Sequence, residues 1–412
     1  MKTVRTFVSR LARILGPDQR ASAQSIVALL VSIVATLIAG LTLASAEERL
    51  DMLPGLLLMV PAAIGQRGNV FGALGSRLGT AIHTGELTIT RRVDTVFGQN
   101  VLASLGLSLI AATWLALVAW VFAGLFGVAD AMSLLDFIAI SVVGGVIAST
   151  VVLALTIALA AGSTRFGWDL DNVTAPLVTA TGDLVTLPAL IFGSLVVGSS
   201  KTSEIIGLAS AALSIVVLGL LLRVGLPLLR RIAIESMPVL ALASTLSLVA
   251  GVVVEKRLSA FLDEPALLIL VPVYFGMAGA LGGILSSRLG SKVHLGLIGS
   301  TVIPGREARL DIRAVAVLAV PIFALVGLAA HVGSLIVNTG SPGLLMMVAI
   351  ASVAGLGATL VVLVVAYYGT LAAVRFGLDP DTATIPLTNS VLDLVGAFTL
   401  ITSIVLLGVG AA

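Results

Sequence analysis

Apolar runs long enough to cross a bilayer recur eleven times along this chain. They lie near residues 22–45, 54–80, 97–128, 133–162, 173–199, 204–222, 237–254, 265–291, 314–337, 342–370 and 383–409. A spanning helix needs about 20 apolar residues, and only helices or closed barrels satisfy their backbone polar groups inside lipid. Runs this long and this continuous predict an all-α polytopic membrane protein whose medium is the lipid bilayer. Composition agrees, since only 11% of residues are charged, where a soluble domain carries about 25%. Cysteine is absent, which excludes disulfides, thiolate metal sites and thiol chemistry.

Orientation follows from the basic residues, which favour cytoplasmic loops. With the N-terminus inside, eighteen Lys and Arg fall in inside segments and four in outside segments (Arg49, Lys201, Lys256 and Arg257), leaving Arg67 within a span. The bias persists along the whole chain and predicts eleven spans with the N-terminus in and the C-terminus out. Residues 1–21, with five basic residues among the first 20 and no small-residue cleavage site after the first apolar run, are expected to be a cytoplasmic lead-in rather than a signal peptide. The expected location is the cell membrane, and a prokaryotic plasma membrane in particular.

Two stretches appear twice. Arg165–Val185 (RFGWDLDNVTAPLVTATGDLV) matches Arg375–Val395 (RFGLDPDTATIPLTNSVLDLV) without gaps at an offset of 210, with eleven of 21 positions identical. Pro61–Leu87 matches Pro272–Ile298 at an offset of 211, with eleven of 27 identical, including Gly65/Gly276, Gly68/Gly279, Arg77/Arg288 and His83/His294. The chain therefore divides into a first five-helix repeat over 22–199, a linker with one spanning helix over 200–236, and a second five-helix repeat over 237–412. Five spans would invert the second copy; the helix near 204–222 restores its direction. The two repeats are expected to be parallel, related by an axis along the membrane normal.

Each repeat carries one carboxylate deep in its fifth apolar run, Asp183 and Asp393. Ten residues into a helix, at 1.5 Å each, places them roughly 15 Å deep. Ionisable groups at that depth are costly and mark ion pathways or proton relays. Two acids offer two negative charges and hard oxygen ligands, which suits a divalent hard cation. Mg²⁺ keeps most of its waters and takes one or two carboxylates; a protonated pair or a proton relay is the competing reading. Thr179 and Asn389 lie four residues earlier, on the same helical face, where their oxygens could accept hydrogen bonds from the waters of an ion. The glycine pairs in GQRGN (65–69) and GMAGA (276–280) predict either a helix break or very close packing. Asn69 adds an oxygen in the first copy alone, because position 280 is Ala, and Arg67 is matched by Ala278. Asp169, Asp171, Asp379 and Asp381 read as helix N-terminal caps or as cation attractors at the cytoplasmic mouth. His83 and His294 are expected near the interface, and His331 near the outer face.

No phosphate-binding loop, HExxH or zinc-spaced Cys/His cluster occurs, and the basic residues form no nucleic-acid surface, so no enzymatic or nucleic-acid role is expected. At P-x-x-x-G-x-x-G-N with the following S-R-L (Pro61–Leu78), and at D-x-D-N-x-x-x-P with G-D (Asp169–Asp183), the chain resembles the integral-membrane domain of MgtE-type magnesium transporters. The duplication resembles the solute carrier family 41 branch, in which two such domains are fused. The resemblance implies Mg²⁺ as the transported ion, carried through a path between the two repeats and bound by Asp183 and Asp393. It also implies a monomer of pseudo-dimeric architecture, and leaves other divalent cations open as substrates. Two departures bear on this. The second copy lacks the Asn of the glycine motif, so coordination is expected to be lopsided; the cytosolic sensor domains of MgtE are not in this sequence, so gating by cytosolic Mg²⁺ does not carry over. A sodium- or proton-coupled exchanger using the same aspartates, and a non-transporting membrane scaffold, are the alternative readings.

Overall fold

The computed structural model describes residues 19–90, 92–166, 170–197, 200–294, 296–299, 301–376 and 380–409. The described elements are all helical. In chain order they are α1 (Gln19–Ser45), α2 (Glu47–Met52), α3 (Leu56–His83), α4 (Val96–Leu125), α5 (Leu134–Phe166), α6 (Leu170–Ser194) and α7 (Ser200–Arg223). There follow α8 (Pro227–Glu255), α9 (Leu258–Asp263), α10 (Ala266–His294), α11 (Arg306–Val337), α12 (Leu344–Arg375) and α13 (Pro380–Leu406). A long helix stands at each of the eleven apolar runs. Among the described residues nine are long and apolar enough to cross a membrane. The apolar part of α1 described is the shorter Leu29–Ser45, and α3 is diluted by its Gln66-Arg67 and glycine stretch. The short helices α2 and α9 were not expected; they correspond to each other at the 211 offset.

The helices group into two compact units, one of residues 42–259 and one of residues up to 41 with 260–412. Each unit therefore takes its first helix from the other repeat: α8 groups with α3 to α7, packing against α3, α4 and α7, and α1 groups with α10 to α13. The contact that seats these helices is the same in both. A Cβ on Gly251 of α8 would lie 1.8 Å from the Leu58 carbonyl oxygen of α3, and one on Gly40 of α1 would lie 2.4 Å from the Ile269 oxygen of α10. Gly40/Gly251 and Leu58/Ile269 are both 211 apart. In lipid, helices gain from close van der Waals contact rather than from expelling water, so glycines at crossings set the packing.

In the first-repeat unit, helix ends are tied down by side chains from distant helices. Glu255, at the end of α8, accepts from the backbone N–H of Gly55 at 2.8 Å and of Leu58 at 3.0 Å. This places a carboxylate on the positive N-terminus of α3, whose entry turns on Gly55 at φ 98°. Thr95 caps α4, accepting from Gly98 N–H at 3.1 Å, and Gln99 accepts from Leu229 N–H in the first turn of α8 at 3.1 Å. The linking helix α7 is peripheral. Ile205, Leu208, Ile215 and Leu220 are exposed along it. Its inner face is small and polar, with Gly207 against the Leu135 backbone and Ser214 bonded to Thr113 at 2.6 Å.

Candidate functional site

In the first-repeat unit, α6 carries Asp183 at its middle, 3% exposed. The helix comes close to α3 just beside this acid. A Cβ on Gly68 would lie 3.5 Å from Thr179 Oγ1, and one on Gly182 would lie 3.3 Å from Arg67 Cβ. Thr179 is thus brought against the second glycine of the GQRGN motif, and Asn69, on the same motif, is buried. Of the two expectations for the glycines, the break is not seen: α3 runs unbroken through 65–69, and Gly68 stands at ordinary van der Waals distance from Thr179. Pro61 lies in its second turn, where a missing N–H costs one bond.

The second-repeat unit repeats the arrangement. Asp393 lies at the middle of α13 and is buried. Asn389, one turn earlier, has its amide oxygen 4.0 Å from where a Cβ on Gly279 would stand. Gly68/Gly279 and Thr179/Asn389 are corresponding positions, so in each unit the polar residue preceding the acid meets the same glycine. The packing below it is exchanged in sense. Gly282 of α10 receives the Leu392 side chain of α13, at 2.5 Å from its would-be Cβ; in the first repeat the corresponding positions are Phe71 on α3 and Gly182 on α6. α10 also continues without a break through 276–280.

Arg67, a basic residue within a span, can pair with an acid, snorkel to the interface or face away from an ion path. It is 1% exposed, so it does not snorkel. Its Nη1 donates to Gln66 Oε1 and, at 3.4 Å, to the Ala63 carbonyl. Gln66 Nε2 in turn donates to Ser244 of α8 at 3.3 Å. The guanidinium runs past Gly182 to α5, where Nη2 would be 2.5 Å from a Cβ on Gly145. The corresponding slot in the second repeat is apolar. There Gly355 makes room for the Phe323 ring, which would collide with a Cβ at that position, and Phe323 packs tilted against Tyr274 with ring centroids 5.7 Å apart. Phe323 stands where the first repeat has Ala112, and Ala278 where it has Arg67.

A pair of polar contacts near the ends of α3 and α10 was not anticipated. Arg77 Nε donates to Asn100 Oδ1 at 2.8 Å; at the corresponding positions Arg288 lies 4.0 Å from Asp311, which Lys292 reaches at 2.7 Å. The matched Arg77/Arg288 gave half of this signal, but Asn100 and Asp311 lie outside the two stretches that align by eye. His331 Nδ1 bonds Ser341 Oγ at 3.0 Å, a local contact between α11 and the loop after it. The side chains of His83, His294, Asp171 and Asp381, with Asp169, Asp379 and most of the 1–21 lead-in, lie outside the described residues. Among the described residues no three His, Asp or Glu form a group that could hold a metal ion.

Comparison with known proteins agrees with the duplicated geometry. A family model described as a divalent cation transporter, MgtE, matches residues 60–193 and again 271–403. Solute carrier family 41 member 3 of Mus musculus is 26% identical over 247 residues, covering 58% of this chain and 50% of that protein. Solute carrier family 41 member 2 of Xenopus laevis is 27% identical over 303 residues, 68% of this chain and 52% of its own length. The chain thus spans about half the length of the curated relatives it matches. Two copies of one membrane domain, matched over most of the sequence, place this multi-pass membrane protein in the MgtE family of divalent cation transporters.

Proposed function

We propose that this protein moves Mg²⁺ across a cell membrane, binding the ion with Asp183 and Asp393, one aspartate from each repeat. The observation that carries this reading is the duplicated setting of the two acids. Each is buried in the middle of its helix, one turn after an oxygen-bearing residue that meets a glycine of the neighbouring helix. Burying a carboxylate at that depth is expensive without a counter-charge, and a divalent cation supplies one. Mg²⁺ gives up its water reluctantly. Two carboxylates therefore suffice to hold it with most of its hydration shell, and Thr179, Asn389 and Asn69 accept hydrogen bonds from those waters. The two repeats within one chain supply both acids, so a monomer forms the complete path. A prokaryotic plasma membrane is the proposed location.

Mg²⁺ influx into liposomes containing the purified protein tests this. A transporter gives flux well above protein-free liposomes, and flux lost in the Asp183→Asn, Asp393→Asn double variant. A non-transporting scaffold gives none. Imposed Na⁺ or H⁺ gradients then separate a channel, which ignores them, from an exchanger, which is driven by them.

A further inference from the structure

The N-terminal end of α11 carries three arginines on one face. Arg306, Arg309 and Arg313 follow the i, i+3, i+7 spacing of a single helical stripe. All three are exposed, and none forms an ion pair with a described residue. The acids of the same turns are engaged elsewhere: Lys292 of α10 reaches Glu307 at 3.6 Å and Asp311 at 2.7 Å. Arg306 and Arg309 occupy the first turn, where the helix dipole disfavours cations. Arg309 and Arg313 also repel each other as like charges at i, i+4. Among the described residues the protein supplies this stripe with no counter-charge.

The stripe runs into an apolar surface on the same side of the helix, where Leu310, Val317 and Val320 are exposed. α11 has 32 residues, about 48 Å of helix, against a hydrocarbon core of about 30 Å. Leu335 and Ile336 keep its other end apolar and exposed, so the excess length falls at the arginine end, at headgroup depth. The loop before α11 is held at the same level. Tyr367 donates to the Thr301 carbonyl at 2.8 Å and Tyr368 to the Val302 carbonyl at 3.2 Å. Tyr367 lies two turns before α12 ends at Arg375, about 12 Å along the axis, so the loop is turned back along α12 toward the bilayer. Val302 and Ile303, 75% and 78% exposed, are thereby presented to the membrane interface, the layer that tyrosines favour. The first repeat has the opposite pattern. Arg91 and Arg92 stand where the second has Val302 and Ile303, and Thr95, Gly98 and Leu102 stand for the three arginines.

We infer that Arg306, Arg309 and Arg313, with Val302 and Ile303 as apolar anchors, form a docking surface for anionic phospholipid headgroups. Charge complementarity and depth name the occupant: phosphate diesters are the anions of that layer, and guanidinium groups grip phosphate oxygens in pairs. The stripe is continuous with the apolar surface below it, which suits a lipid whose headgroup and acyl chains lie along one line. The orientation read from the sequence sets this end inside, where anionic lipid gives the membrane a negative surface. The surface is independent of the magnesium reading, because it touches neither aspartate.

The test compares the association of spin-labelled phosphatidylglycerol and phosphatidylcholine with the full chain in phosphatidylcholine liposomes. Phosphatidylglycerol should associate at least about 5-fold more strongly, the gain expected of one arginine near an anionic headgroup, and high salt should reduce that preference. The triple variant Arg306→Gln/Arg309→Gln/Arg313→Gln should remove most of it. Arg223→Gln/Arg230→Gln/Arg231→Gln, which takes the same charge from the loop between α7 and α8, should keep most of it. Val302→Ser/Ile303→Ser should weaken the association with no change in charge, as loss of an apolar anchor does. Glycerol phosphate and a polyglutamate peptide should not displace the labelled lipid. Should the arginine triple variant not fold, Arg309→Gln alone takes its place, with a loss of up to about 5-fold expected. Equal association of the two lipids, an unchanged preference in the arginine variant, or an equal loss in the α7–α8 variant would each overturn the surface. Displacement by glycerol phosphate would point to a free anion, and displacement by polyglutamate to an acidic protein partner; either would overturn it as well.

Discussion

The two repeats share a scaffold and differ in what fills it. Corresponding glycines seat α8 on α3 and α1 on α10, and corresponding glycines meet Thr179 and Asn389 beside the two acids. One layer deeper the repeats part: Arg67 and serines fill the first slot, Phe323 and Tyr274 the second. What is kept is the backbone approach that positions an acid on the fifth helix of each repeat. What has drifted is the filling behind it, which tolerates any set of side chains whose volume and polarity balance. The difference also makes the halves electrically unequal: among the described residues the first has a buried positive charge, Arg67, packed beside Gly182 next to its aspartate, and Ala278 stands at the corresponding position of the second.

Five substitutions probe how the two repeats differ, in order of decreasing effect. Gly251→Leu drives a side chain into the Leu58 backbone and should cost at least about 3 kcal/mol, the upper end for overpacking. It should be seen as loss of folded protein in detergent, with Gly40→Leu milder because its approach to Ile269 is looser. Phe323→Ala empties the second slot and should cost about 3 kcal/mol by thermal or denaturant unfolding. Arg67→Met in the first slot should behave in the opposite way. Replacing an uncompensated buried charge with an apolar chain of similar length should leave stability within about 1 kcal/mol of the parent, or raise it. If Arg67→Met proves as damaging as Phe323→Ala, Arg67 is not an uncompensated charge and contributes to its slot as the aromatic rings do to theirs. Asp311→Asn converts the second-repeat ion pair into the Arg–Asn contact of the first. Since Arg288 and Lys292 are partly solvated, it should cost about 1 kcal/mol or less, and the cost should shrink in high salt.

Much of this architecture was legible in the sequence, and what was not has physical causes. All eleven apolar runs became long helices, because in lipid a continuous apolar segment has no other way to satisfy its backbone. The offsets of 210 and 211 held in space, down to Gly68 with Thr179 and Gly279 with Asn389. The exchange of first helices between repeats was not legible. Sequence similarity says which segments correspond, but Gly40 fits the surface of α10 for the same reason that Gly251 fits α3, and nothing in the pattern says which copy it meets. The glycine motif left a break or very close packing open, and the continuous helices remove the break. Arg67 was conspicuous from the start, yet its destination depended on Gly145 and Ala112, small residues that carry no signal of their own. The helices α2 and α9 are six residues each, too short for periodicity to reveal.

A double-mutant cycle on Mg²⁺ affinity tests the proposal that Asp183 and Asp393 bind the same ion. Asparagine preserves shape and removes charge, so the cycle isolates electrostatics. Measured by calorimetry, Asp183→Asn and Asp393→Asn should each weaken binding by at least about 10-fold, since a low-dielectric site magnifies the loss of one charge. The two losses should differ in size because Asn69 and Arg67 have no counterparts in the second repeat. The double variant should lose less than the product of the single losses. Affinities near that of the unaltered protein in both single variants, or losses that multiply as for independent sites, would contradict the claim.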